Sequence, residues 1–143
     1  MPRRQLSAAP LTPANFRALA TYRYALRRFL HFSTEAARAA GLTQQQYQVL
    51  LAIKAAPRNK FLTIGEVAEQ MQLRHHSAVG LVDRLVHRGW LRRVADTADG
   101  RRVQVRLTVS GEKVLIKLAA AHRDELRRLS PEFIRSLQSL DAD

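Results

Sequence analysis

The 143-residue sequence contains no cysteine. That excludes disulfides, thiolate zinc sites and thiol redox chemistry within the chain. Acidic residues are also scarce, with 12 Asp and Glu against 24 Lys and Arg. So few carboxylates leave little for metal-assisted chemistry, and the five histidines are scattered or adjacent. There is no glycine-rich phosphate loop and no Ser/His/Asp spacing suggestive of a triad, so neither catalysis nor a cofactor or metal is expected. No run of 18 apolar residues occurs, and nothing is expected to span a bilayer. Met1–Pro10 carries basic residues but no apolar stretch with a cleavage site, so it does not read as a secretory signal. A cytoplasmic location is expected.

What is present is positive charge. The formal net charge is +12, and so basic a surface attracts polyanions, nucleic acid before an anionic membrane. A merely soluble basic domain is the plain alternative. Hydrophobic content of 46% over this length suffices for one compact domain with one core, here taken as residues 1–143.

Helical periodicity dominates the chain. Thr12-Pro13 reads as a helix start, and Phe16, Leu19, Leu26, Phe29 and Leu30 then recur at helical spacing with no Gly or Pro before Gly41. Thr43-Gln44-Gln45-Gln46 and Thr63-Ile64-Gly65-Glu66 have the capping-box pattern, each opening a helix. Phe61-Leu62 can make only a very short strand. After a tight connection at Gln72-Leu73-Arg74, a longer helix carries Val79, Val82, Leu85 and Val86 on one face and ends at Gly89. The period then changes. Trp90–Val94 and Val103–Leu107 are β-prone runs joined by the turn formers Asp96-Thr97-Ala98-Asp99-Gly100. Thr108 and Ser110 read as caps of another helix, and Ser130-Pro131-Glu132 as the start of a last one.

Two short helices on a tight turn, followed by a β-hairpin, give a mainly α (α+β) winged helix-turn-helix. The expected order is helix, helix, short strand, two helices, strand, wing, strand, two helices. The recognition helix falls at about 75–88, with Arg74, His75, His76 and Ser77 at the end that lies nearest base edges.

In this setting the sequence resembles the MarR family (multiple antibiotic resistance regulators), from about residue 12 to residue 140. The stretches that carry the resemblance are Leu81-Val82-Asp83-Arg84-Leu85, Arg88-Gly89-Trp90-Leu91, Asp96-Thr97-Ala98-Asp99-Gly100-Arg101-Arg102, and Leu107-Thr108 with Gly111. It implies a homodimeric transcriptional regulator, most often a repressor, on a pseudo-palindromic double-stranded DNA operator. Residues 12–40 and 109–141 would supply N- and C-terminal dimerisation helices, and 43–108 the DNA-binding winged helix. It further implies that Arg101 reaches a minor groove, with Arg102 a phosphate contact beside it. Many relatives bind a small aromatic or phenolic effector, for which Tyr22, His31, Phe32 and Tyr47 are the candidate pocket here. Two departures stand out: the recognition helix opens with Arg-His-His-Ser where small polar residues or Pro are usual, and Gly100 stands where Arg or Lys is common.

Each candidate has a plainer reading. Arg74 to Ser77 could be a solvated helix start. His75 and His76, being adjacent, point about 100° apart and so suit chelation poorly. Arg84 is either a phosphate contact or a structural residue pairing with Asp99 to brace the wing. Trp90 reads as core before stacking platform, and the candidate pocket aromatics as core before ligand site. The basic residues Arg17, Arg23, Arg27 and Arg28 form either a solvated face or an attraction for DNA. The alternatives are a function of another class, a protein-interaction module that keeps the fold without operator binding, or a regulator that does not respond to a ligand.

Overall fold

The computed structural model describes residues 9–141; most of Met1–Pro10, discussed above as a non-signal, lies outside them. Seven elements follow in order: α1 (Pro13–Ala39), α2 (Gln44–Ala55), α3 (Ile64–Met71), α4 (His75–His87), β1 (Leu91–Ala95), β2 (Val103–Leu107) and α5 (Val109–Gln138). Contacts group them into two compact units. One comprises residues 9–31 and 124–141, the other Phe32–Arg123. No helix among the described residues is long and apolar enough to cross a membrane.

Local hydrogen bonding explains where most helices begin. Thr43 accepts from the Gln46 backbone N–H at 3.0 Å, and Gln46 returns the bond to the Thr43 N–H at 3.0 Å. Thr63 and Glu66 repeat this at α3. Both boxes satisfy amide donors that the first helical turn leaves free. Glu66 also pairs with Lys60 at 2.8 Å, and this hydrogen-bonded ammonium holds its carboxyl below the ordinary range. The α3–α4 turn is closed by Gln72, which adopts the left-handed φ of 53° without being glycine. The Gln72 and Leu73 N–H groups donate to Glu69 and Ala68, recovering two carbonyls at the end of α3.

Unit Phe32–Arg123 holds the winged helix. Val49, Leu50, Val67, Leu81, Val82, Leu85, Leu91, Val105 and Leu115 form its core, joined by Trp90. β1 and β2 pair antiparallel, with Leu91 opposite Leu107 and Ala95 opposite Val103. Trp90 is buried, as expected, and the Arg88 guanidinium lies 4.3 Å above its ring.

Two expected elements differ. Phe61-Leu62 is not a strand. The segment makes a single bridge, Thr63 to Gln104, with the Val105 N–H donating to the Leu62 carbonyl at 2.9 Å. Thr63 is already committed to capping α3, so the chain turns into the helix before a ladder can extend. The last two expected helices are one, because α5 runs through Pro131. Proline removes the N–H that would reach the Arg127 carbonyl. The Ser130 hydroxyl donates to that carbonyl instead, at 3.2 Å.

In the unit of residues 9–31 and 124–141, the Tyr22 ring packs edge-on against Phe133 with centroids 5.5 Å apart. Arg28 pairs with Glu132 at 3.5 Å. Large apolar side chains nevertheless remain open to solvent: Phe16 is 59% exposed, Leu30 42%, Ile134 53% and Leu137 50%.

Candidate nucleic-acid interface

Arg74, His75, His76 and Ser77 are all exposed at the start of α4. Arg74 is the N-cap in extended conformation, and its side chain makes no capping bond. The first-turn amides of α4 therefore lack the side-chain acceptor that α2 and α3 have, an arrangement that favours an incoming anion. Arg84 is exposed one turn before the end of the helix.

The wing loop carries Arg101 and Arg102, both exposed. Its shape comes from aspartates. Asp96 Oδ1 accepts the Ala98 N–H at 2.9 Å, and Asp99 Oδ1 accepts the Arg101 N–H at 3.1 Å. Backbone bonds from Asp96 N–H to the Arg102 carbonyl and from Arg102 N–H to the Asp99 carbonyl close the loop. Asx turns of this kind hold a polar loop in place while leaving the arginine side chains outside.

A brace between recognition helix and wing exists, although not the expected one. Asp99 is occupied within the loop, and Arg84 makes no ion pair among the described residues. Instead Asp83, one position earlier, pairs with Arg93 of β1. Strand alternation explains the choice. Arg93 sits opposite Val105, whose side chain is buried in the core, so the Arg93 face of the hairpin is the one turned toward α4. We expect Asp83→Ala to leave the fold intact, to cost about 1 kcal/mol of stability for a partly exposed pair, and to weaken duplex binding. Unchanged stability and unchanged duplex affinity together would remove Asp83–Arg93 from this role.

A second link sits at the foot of the hairpin. The Thr108 hydroxyl donates to the Gly89 carbonyl at 2.6 Å and accepts the Gly111 N–H at 3.0 Å. The Thr108 N–H donates to the Trp90 carbonyl at 3.1 Å. One residue therefore caps α5 and ties it to the end of α4. Ser110, the other expected cap, lies within the helix.

The four arginines Arg74, Arg84, Arg101 and Arg102 share two properties: they are exposed, and none forms an ion pair among the described residues. By contrast Arg93, Lys54 and Lys60 in the same unit each have a carboxylate. No group of three or more His, Asp or Glu that could hold a metal occurs among the described residues.

The candidate pocket residues divide. Phe32 and Tyr47 both pack on His122, Phe32 edge-on at 5.5 Å and Tyr47 stacked at 4.3 Å. Tyr22 packs on Phe133 in the other unit, and His31 is exposed. Burial raises the Tyr47 pKa. His122 was not singled out from the sequence. Its ring is buried, with Nδ1 2.7 Å from the Leu118 carbonyl and Nε2 2.8 Å from the Ser33 hydroxyl. No local spacing links His122 to Ser33, 89 residues away.

Two short helices on a tight turn, a two-stranded wing and a helix leading away define a winged helix-turn-helix. Residues 40–102 match the MarR family model. The HTH-type transcriptional regulator YsmB of Bacillus subtilis (strain 168) is 31% identical over 72 residues, 50% of this chain and 49% of YsmB. The match thus spans about half the length of that relative. AbsC, a MarR family transcriptional regulator from Streptomyces coelicolor, superposes with a TM-score of 0.72 at 22% identity, covering 94% of this chain and 91% of AbsC. MepR of S. aureus, crystallised as a DNA complex, gives 0.64 at 23% identity over 78% of this chain and 83% of MepR. At these identities the two structures establish the shared fold.

Proposed function

We propose that the protein is a homodimeric, sequence-specific DNA-binding regulator of transcription, acting as a repressor. The observation that carries this reading is the set of unpaired, exposed arginines at the start of α4 and on the wing, held in one unit by the Asp83–Arg93 pair. Arg74, His75, His76 and Ser77 enter a major groove, Arg101 an adjacent minor groove, and Arg84 and Arg102 contact phosphates. The MepR–DNA complex supports this use of the fold. Pairing of two chains through the helices of 12–40 and 109–141 presents two copies of the 43–108 segment to half-sites about 34–36 Å apart. Exposed Phe16, Leu30, Ile134 and Leu137 support that pairing.

Release by a small aromatic or phenolic acid belongs to the same proposal, with Phe32 and Tyr47 as its aromatic walls. Their convergence on His122, which is itself hydrogen-bonded to Ser33, supports a site where aromatic rings and polar groups meet.

Selection of bound duplex from a genomic pool, with and without aromatic acids, tests operator and effector together. Binding of the selected duplex should weaken steeply with salt as counterions are released. Arg101→Ala should cost about 1–3 kcal/mol of affinity. Equal affinity for every duplex, unaffected by Arg101→Ala, would defeat the reading in favour of non-specific binding, and no duplex binding at all would favour an interaction module that keeps the fold.

A further inference from the structure

A second cationic site lies apart from the recognition helix, beside the foot of the hairpin. A recess of about 380 Å³ is lined by Lys54, Arg58, Lys60, Arg92 and Arg106, with Glu112 its one carboxylate. Lys54 is paired with Glu112, and Lys60 with Glu66. The three arginines have no carboxylate partner among the described residues.

Two features set these arginines apart from a solvated basic surface. Arg92 and Arg106 sit directly opposite each other in the β1–β2 register. Like charges at such positions repel, and neither forms an ion pair among the described residues. Arg106 is also pre-oriented: its guanidinium lies 3.7 Å over the Phe61 ring and donates through Nη2 to Gln104 at 3.2 Å. Its Nε is buried and has no acceptor. A held guanidinium loses little freedom on binding, and its fork matches the oxygens of phosphate.

We propose that this recess binds a small multivalent oxyanion of the phosphate-ester or pyrophosphate class. Two or more negative charges would offset the facing Arg92 and Arg106 and engage Arg58, while Ile53, Pro57 and Leu107 give the recess an apolar wall. A concave site of this size suits a small molecule rather than the rod-like backbone of a duplex. The occupant would bridge the end of α2 to both strands of the wing, giving the hairpin a ligand-dependent tether. This proposal stands independently of the DNA-binding reading.

The test is titration of the full chain with inorganic pyrophosphate, against sodium chloride at matched ionic strength, by calorimetry and thermal unfolding. Saturating pyrophosphate should raise the Tm by about 5 °C beyond chloride, because a ligand that binds only the folded state stabilises it. The Arg92→Gln/Arg106→Gln variant should fold, since it removes a repulsive pair, yet bind pyrophosphate at least about tenfold more weakly. Arg92→Gln alone serves if the double variant fails to fold. Arg101→Ala should keep the full Tm shift. No shift beyond chloride, or an equal shift in the double variant, overturns the proposal. So does a double variant that loses duplex affinity while pyrophosphate fails to bind the native chain, since the recess would then be a DNA-backbone contact.

Discussion

Gly111→Ala should lower the unfolding free energy by about 3 kcal/mol, at the upper end of what overpacking costs, and lower Tm by about 10 °C in a domain of this size. A Cβ at position 111 would fall 2.0 Å from the Trp90 carbonyl oxygen, 2.9 Å from its carbon and 3.1 Å from its Cα. Those are backbone atoms, and they cannot swing away like the end of a long side chain. The Trp90 N–H is bonded to the Leu85 carbonyl, and its carbonyl accepts from Thr108. Relief therefore requires moving the first turn of α5 away from the end of α4, breaking the Thr108 bonds to Gly89 and Gly111 as well. Backbone conformation is not the issue, because Gly111 is helical. Urea denaturation would measure the loss. A change under about 0.5 kcal/mol would mean that the close approach is not a packing constraint.

The second large effect concerns assembly. On the proposed homodimer, Phe16→Glu combined with Ile134→Glu should give a monomer and reduce operator affinity by about 10²-fold or more, since both half-sites can no longer be held at once. Phe16, Leu19 and Leu30 fall within about 60° of one another around α1, at 100° per residue. Ile134 and Leu137 lie three apart on α5, on one face. All five are large, apolar and at least 42% exposed in a single chain, and exposed apolar side chains concentrated on two helices suit an interaction surface. Carboxylates there remain solvated in a monomer but would be stripped of water in an apolar interface, at a cost of several kcal/mol each. Helix content by circular dichroism should hold, while mass from sedimentation falls by half. A native chain that sediments as a monomer, or a variant that stays dimeric at micromolar concentration, would refute the assignment of this face.

Features built from neighbours in the chain were the most legible. The capping boxes at Thr43 and Thr63 rest on bonds between residues three apart, so the pattern of side chains nearly specifies the geometry. The glycine end of α4 is of the same kind, with Gly89 at φ 77°. The wing loop was also readable, because Asp96 and Asp99 bond to amides two residues on. Among the candidate interface residues, exposure of Arg74, Arg101 and Arg102 followed from their place at a helix start and on a loop.

The misreadings each turn on a partner distant in sequence or on a compensation unseen in composition. Pro131 looked like a boundary, since proline usually is one. The adjacent Ser130 hydroxyl supplies the missing donor and the helix continues. The wing brace was assigned to Arg84 and Asp99 on proximity of motif. Which aspartate is free, and which arginine faces it, depends on the hairpin register against α4. His122 and Ser33 are 89 residues apart, and no local signal marks them as partners.

The chain alone thus determined the order of most elements, the positive surface and the positions of the turns, because propensity, capping and charge act over a few residues. Only the folded arrangement decided which arginines are neutralised and which stay free, why position 111 must be glycine, and that Arg92 confronts Arg106. Those outcomes depend on atoms brought together from separate helices and strands, and packing and Coulomb forces act on distance in space rather than on separation along the backbone.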